Sequence, residues 1–220
     1  MNTRRKVILS WSGGKDSLMA LWKLAADYEV VALITNLNHE QDRVSIHGVR
    51  RHLIEAQAAA LGLPIHFVHL PSKPSNAEYE ALVAAALVPF QAEGIQQVVY
   101  GDLFLQEIRS YRDAYLKRIG WQGIYPLWAI NTHSLIREVI DAGFMTLVTC
   151  VDTTQLDATF AGRTLDDAFL RDLPASCDPC GENGEFHTFV YDSPLFTQAV
   201  PISVVGTWLQ DNRFCYCDLE

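Results

Sequence analysis

The chain has 220 residues, 49% apolar and 20% charged, so it can bury a core without metal or disulfide staples and is too apolar to stay disordered. Seventeen basic against 26 acidic residues give a formal charge of −9, which argues against duplex nucleic acid, whose binding draws largely on neutralised phosphates. No apolar run is long enough for a membrane span, and the basic start Met-Asn-Thr-Arg-Arg-Lys lacks a secretory apolar stretch, so a cytoplasmic protein is expected.

Val7-Ile8-Leu9 reads as a buried strand, followed by a glycine turn and a helix from about Ser17 to Leu24. Val30 to Ile34 is a second strand, and Val49 to Leu61 a helix stopped by Gly62. Ile65 to Val68 forms a third strand, Asn76 to about Gln91 an alanine-rich helix, and Val98-Val99-Tyr100 a fourth strand ending in Gly101-Asp102. Continuous β-branched runs separated by helices predict a doubly wound parallel α/β sheet, with ligands beyond the carboxyl ends of its strands. Past Asp102 the pattern changes. Helices are expected at Glu107 to Lys117 and Ser134 to Ala142, and strands at Phe144 to Val151, Phe186 to Tyr191, Ile202 to Leu209 and Arg213 to Cys217. These read as a second, smaller α/β or α+β part, placing a nucleotide domain at 1–104 and a substrate domain at 105–220.

The five cysteines all lie at or beyond Cys150, and in a cytosolic chain they read as reduced thiols. Cys177-Asp178-Pro179-Cys180 and Cys215-Tyr216-Cys217 could supply four thiolates to zinc, but the second pair is spaced more tightly than usual zinc knuckles, and free thiols are favoured.

The most informative stretch is Ser10-Trp11-Ser12-Gly13-Gly14-Lys15-Asp16-Ser17, between the first strand and the first helix. Two glycines permit a tight turn that exposes successive N–H groups at the positive end of a helix, which makes an anion cradle. Ser12 and Ser17 add hydroxyls and Lys15 a mobile positive charge. It is not a Walker A loop, since Leu9 stands where that motif needs glycine and Asp16 where it needs Ser or Thr. A plain capped turn would explain neither Lys15 nor the three hydroxyls. Asp102 lies just past the fourth strand, and Arg109, about two helical turns on, could meet a phosphate or carboxylate or form an exposed salt bridge. Asn36 and His47 follow the second strand as neighbours of a nucleotide. Trp11 could wall the same pocket, although packing is the simpler role for it.

Ser12 to Ser17 after a first strand resembles the pyrophosphate loop of ATP pyrophosphatases, which split ATP into AMP and pyrophosphate. A second stretch, Cys180-Gly181-Glu182-Asn183-Gly184-Glu185-Phe186-His187-Thr188 followed by Asp192-Ser193-Pro194-Leu195-Phe196, narrows the resemblance. With Gly101-Asp102, Arg109, Pro126-Leu127-Trp128, Glu138 and Gly143-Phe144, the chain from about residue 6 to 196 is similar to the diphthine–ammonia ligase family. That resemblance implies a HUP-like (adenine nucleotide alpha hydrolase-like) sheet, and ATP and Mg2+ as cofactors. It implies a carboxylate acceptor adenylated and then amidated by ammonia, and it leaves room for a homodimer. Ser10, Ser12, Gly13, Gly14, Lys15, Asp16, Ser17, Asn36, His47, Gly101, Asp102 and Arg109 would hold the nucleotide, with Asp16 and Asp102 on the metal. Lys15, Asp16, Glu182, Glu185 and His187 would carry catalysis: the two glutamates on ammonia, substrate or magnesium, His187 as general base or substrate donor.

Asn183 and His187 depart from the Gly and Glu usual in members tied to diphthamide synthesis and resemble a bacterial branch. The acceptor is therefore protein-bound diphthine or a small carboxylate, such as a corrinoid-pathway acid. Two other classes share the loop. A tRNA-modifying pyrophosphatase would be expected to show a basic surface and sulfur-transfer cysteines, and a non-catalytic nucleotide regulator would have little use for the Glu182–His187 cluster.

Overall fold

The structure, a computed structural model, describes residues 4–220; the first three residues of the basic start lie outside the described residues. The elements follow in the order β1 (Arg5–Ser10), α1 (Lys15–Lys23), β2 (Tyr28–Asn38), β3 (Arg43–Val44), α2 (Arg51–Leu61), β4 (Ile65–Leu70), α3 (Asn76–Ala92), β5 (Gln97–Val99), α4 (Gln106–Arg118), β6 (Gln122–Ile124), α5 (Thr132–Asp141), β7 (Met145–Asp152), α6 (Asp167–Asp172), β8 (Phe186–Asp192), β9 (Val204–Gln210) and β10 (Phe214–Leu219). Parallel strands in the order β4-β2-β1-β5-β6 form the first sheet, with β3 pairing antiparallel to the far end of β2. The second sheet is antiparallel, in the order β8-β7-β10-β9.

Both faces of the first sheet are covered, which is why its strands read as unbroken apolar runs rather than alternating ones. Val7, Leu9, Leu33 and Val99 point to a core shared with α1, α2, α5 and the β7–β8 face of the second sheet. Their neighbours Ile8, Ala32, Ile34 and Val98 point the other way, onto α3 and α4. The second sheet therefore packs on the same core as the first. Gln122–Ile124 pairs with β5, so the first sheet takes its last strand from beyond residue 105.

The expected long elements are present, with shifted ends. Helix α1 starts at Lys15 rather than Ser17, because Gly14 in extended backbone (φ −87°, ψ 173°) is its N-cap. The last long strand pair starts at Val204 rather than Ile202. Strands β3 and β6, of two and three residues, and the six-residue α6 fall below what periodicity can register.

Candidate active site

Strand β1 is the point where the chain direction across the sheet reverses: β2 and β4 lie to one side, β5 and β6 to the other. The crevice beyond such a strand is where open α/β sheets take ligands. Gly13 turns the chain there at φ +80°, and a Cβ on it would fall 2.6 Å from Ile54 Cδ1, so only glycine fits. Ser12 Oγ accepts from Gly14 N–H at 3.2 Å, and Ser17 Oγ donates to the Gly14 carbonyl at 2.9 Å. Among the described residues, no protein acceptor takes the N–H groups of Gly13, Asp16 and Ser17, the open donors expected at a helix start.

The second motif closes over this loop. Val190 N–H donates to the Gly13 carbonyl at 3.0 Å, and Lys15 N–H donates to Thr188 Oγ1 at 3.1 Å. Gln57, fully buried, donates to the carbonyls of Gly13 (2.9 Å) and Val190 (2.6 Å) and accepts from Trp11 Nε1 (2.9 Å). Lys15 is not the mobile arm the sequence suggests. It is 2% exposed, and its Nζ donates to the Cys180 carbonyl and to Asp16 Oδ2 at 2.9 Å. Burial works against the ammonium form, but Asp16, Cys180 and Glu182 more than offset it and the pKa is raised.

Glu182 reaches the turn after β5, where it accepts from Leu103 N–H at 2.9 Å. Burial pushes its carboxyl up to about 7, against the Leu103 hydrogen bond and with help from negative Asp16 and Asp102. Gly101 lets that turn lie on α1, since a Cβ there would fall 2.7 Å from the Asp16 carbonyl. Burial also raises Asp102, opposed by Arg112. Asp102 Oδ2 lies 2.9 Å from Arg112 Nε, but the pair is misaligned, and these two solvent-excluded atoms make no hydrogen bond.

His47 and His187 bring their rings to 4.8 Å beside the loop. His47 Nδ1 lies 3.2 Å from the Thr188 carbonyl, which fixes Nδ1 as the donor and leaves Nε2 as acceptor. Burial lowers His47 to about 4, and burial with the neighbouring His47 and Lys15 puts His187 well below its ordinary value. Both imidazoles are neutral at pH 7.

A cleft of about 450 Å3 opens beyond β1, β2 and β4, the size of a small-ligand site. Ser10, Trp11, Ser12, Asn36 and His47 line it, together with Ser45, Ile46, Tyr79 and Arg112. Arg109 does not line it. Its guanidinium sits 4.4 Å from the Trp128 ring centroid and 4.7 Å from that of Tyr125, beside Asp113 at 3.6 Å. Arg112, one turn further along α4, faces the cleft instead. Glu185 is 2% exposed and accepts from the N–H groups of Asp178 (2.7 Å) and Asn183 (2.9 Å), so its carboxylate is turned inward on its own loop. Gln57 and Arg112 carried no sequence signal: one is a glutamine in an alanine run, the other a second arginine on a charged helix.

The cysteines do not gather. Cys177 Sγ donates to the Gln155 carbonyl and Cys180 Sγ to the Thr132 carbonyl. Among the described residues no group of three His, Cys, Asp or Glu side chains is placed to hold a metal. Magnesium asks less of a protein, since it commonly takes one or two carboxylates and completes its shell with water and substrate phosphates. Asp16 and Asp102, the latter with an unsatisfied oxygen, fit that partial role. No helix among the described residues is long and apolar enough to cross a membrane.

Two domain families match in tandem: Diphthamide synthase N-terminal domain over residues 5–123 and Diphthamide synthase C-terminal domain over residues 131–219. The chain belongs to the diphthamide synthase family. Similar proteins named diphthine–ammonia ligase include those of Homo sapiens, 28% identical over 86% of this chain and 79% of that one, and Mus musculus, 25% identical over 87% and 80%. The Bos taurus protein of that name is 27% identical over 86% and 79%. A solved structure described as a predicted subunit of tRNA methyltransferase from Methanocaldococcus jannaschii DSM is 18% identical over 86% of this chain and 98% of that one, with a TM-score of 0.46.

Proposed function

We propose that this diphthamide synthase family member is an ATP-dependent ligase that joins ammonia to a carboxylate, with AMP and pyrophosphate as products. The observation that carries this reading is the closure of the glycine loop by a segment 165 residues away, through Lys15 and Cys180. That closure sets open N–H donors and a buried cation next to Ser12, which lines a cleft at the sheet's switch point. A carboxylate oxygen of the acceptor attacks the α-phosphorus, and the bond to the β-phosphate breaks. Charge then develops on departing pyrophosphate, where the N–H groups of Gly13, Asp16 and Ser17 lie in wait and Lys15 supplies positive potential from behind the loop. Asp16 and Asp102 would hold Mg2+, which when bound neutralises phosphate charge. Ammonia then attacks the acyl carbon, AMP leaves with its oxygen, and His187, kept neutral, takes the proton that the nitrogen sheds.

The acceptor named by the relatives is diphthine, and protein-bound diphthine is the acceptor we propose. The test is to follow ATP with ammonium and either a diphthine-bearing protein or small carboxylates. AMP and pyrophosphate formed with an amide support the reading. ADP as product, or AMP formed only with transfer RNA, would overturn it.

A further inference from the structure

Arg112 is the strongest base lining the cleft, since the other lining basic group, His47, is neutral. Its guanidinium lies 4.3 Å from the Tyr100 ring centroid, and it reaches Asp102 in the turn after β5. Most ion pairs of this kind align their hydrogen bonds. This one does not: Arg112 Nε and Asp102 Oδ2 sit 2.9 Å apart with neither making a hydrogen bond, and the remaining Nη2–Oδ1 contact is 3.4 Å. A buried polar atom left unpaired costs free energy that a ligand group can return.

The position selects the ligand group. Leu70, Pro71 and Pro74, at and beyond the end of β4 on the other side of β2 from β1, give the cleft apolar surface that suits a flat base. Arg112 comes from α4, which follows β5 on the opposite side of β1, and contacts Asp102, in the turn that Gly101 lays on α1 at Asp16 and that Glu182 reaches at Leu103. With the β- and γ-phosphates on the loop's N–H groups, the next group toward the base is the α-phosphate.

We infer that Arg112 binds the α-phosphate of the nucleotide, turning from its misaligned contact with Asp102 to a two-pronged contact with phosphate oxygens. This rests on the nucleotide site proposed above and adds to it the residue that grips the reacting phosphorus. The same guanidinium chemistry would suit the acceptor's carboxylate, and the two sources separate by experiment.

Binding of adenosine, AMP and ATP is measured by calorimetry in EDTA, so that no metal occupies Asp102, for the wild type and Arg112→Met. AMP affinity is expected to fall on the order of 10–100-fold, the worth of a charge-assisted phosphate contact, with adenosine unchanged. Arg112→Lys, which keeps charge without the fork, is expected to lose less. Should Arg112→Met be poorly folded through its stranded carboxylate, Asp102→Asn with Arg112→Met is compared with Asp102→Asn alone, which itself is expected to bind AMP at least as tightly as wild type. Unchanged AMP affinity on loss of Arg112, or equal loss for adenosine and AMP, overturns the inference. AMP affinity unchanged while the Michaelis constant for the acceptor rises assigns Arg112 to the carboxylate and also overturns it. Wild-type protein that binds no nucleotide sinks the nucleotide site itself, and Arg112's role with it.

Discussion

Glu182→Gln separates the stability of the site from its chemistry. In the folded chain the Glu182 carboxyl holds its proton up to about 7, whereas its ordinary value is 4.5, because burial and the negative Asp16 and Asp102 outweigh the Leu103 hydrogen bond. Between those values the native state binds more protons than the unfolded state, so stability falls as pH rises through the window. A shift of that size corresponds to a ceiling of about 3 kcal/mol at ~1.36 kcal/mol per unit. Solvent at the cleft mouth screens the half-buried group and leaves about 1–2 kcal/mol. Glutamine has no proton to lose, and its carbonyl still accepts from Leu103 N–H. The variant is therefore expected to match wild type near pH 4 and to exceed it by about 1–2 kcal/mol at pH 8, and to lose turnover if Glu182 has the catalytic part that the family resemblance implies. Urea unfolding at the two pH values, beside a pyrophosphate assay, reads both effects. A variant no more stable than wild type at pH 8 would refute the argument that Glu182 is ionised at a cost.

Three further outcomes follow from the same geometry. Lys15→Met keeps most of the buried volume while removing the ammonium from the Cys180 carbonyl and Asp16; it should stay folded by circular dichroism and lose on the order of 10²–10³ in turnover. Gly14→Ala would place a Cβ 2.9 Å from the Thr188 carbonyl, prising β8 from the loop at about 1–3 kcal/mol of stability in thermal unfolding, with weaker ATP binding. Asp218 accepts from Arg50 at 3.0 and 2.7 Å and from Arg43 at 2.9 Å, and the Arg50 bonds first, with Arg43, hold its carboxyl down at about 2. Its contribution is present above the ordinary value of 3.8 and fades as pH falls toward 2. Asp218→Asn should thus cost about 1–2 kcal/mol at pH 7, with a difference from wild type that shrinks as unfolding is measured at lower pH.

The residues that the sequence made legible are those whose job is local. Val7 to Leu9 must be a buried strand because both of its faces meet core, and Gly13, at φ +80° against Ile54, declares a turn that no other residue can make. The Ser12–Ser17 segment announces itself because backbone donors need a fixed spacing to meet an anion, whereas Cys180–Thr188 is legible only through its resemblance to a known family. Roles set by distant partners were not legible. Arg109 and Arg112 differ by one helical turn, and only the packing of α4 against Tyr100 and Trp128 decides which faces the cleft. Glu185 and Glu182 look alike in the chain, yet one folds inward on Asp178 and Asn183 while the other reaches Leu103. Gln57 becomes the clasp between two motifs solely because α2 lies beneath both. Local backbone geometry is written in neighbouring residues. Side-chain direction depends on which surfaces meet, and that is settled when the two sheets pack on one core.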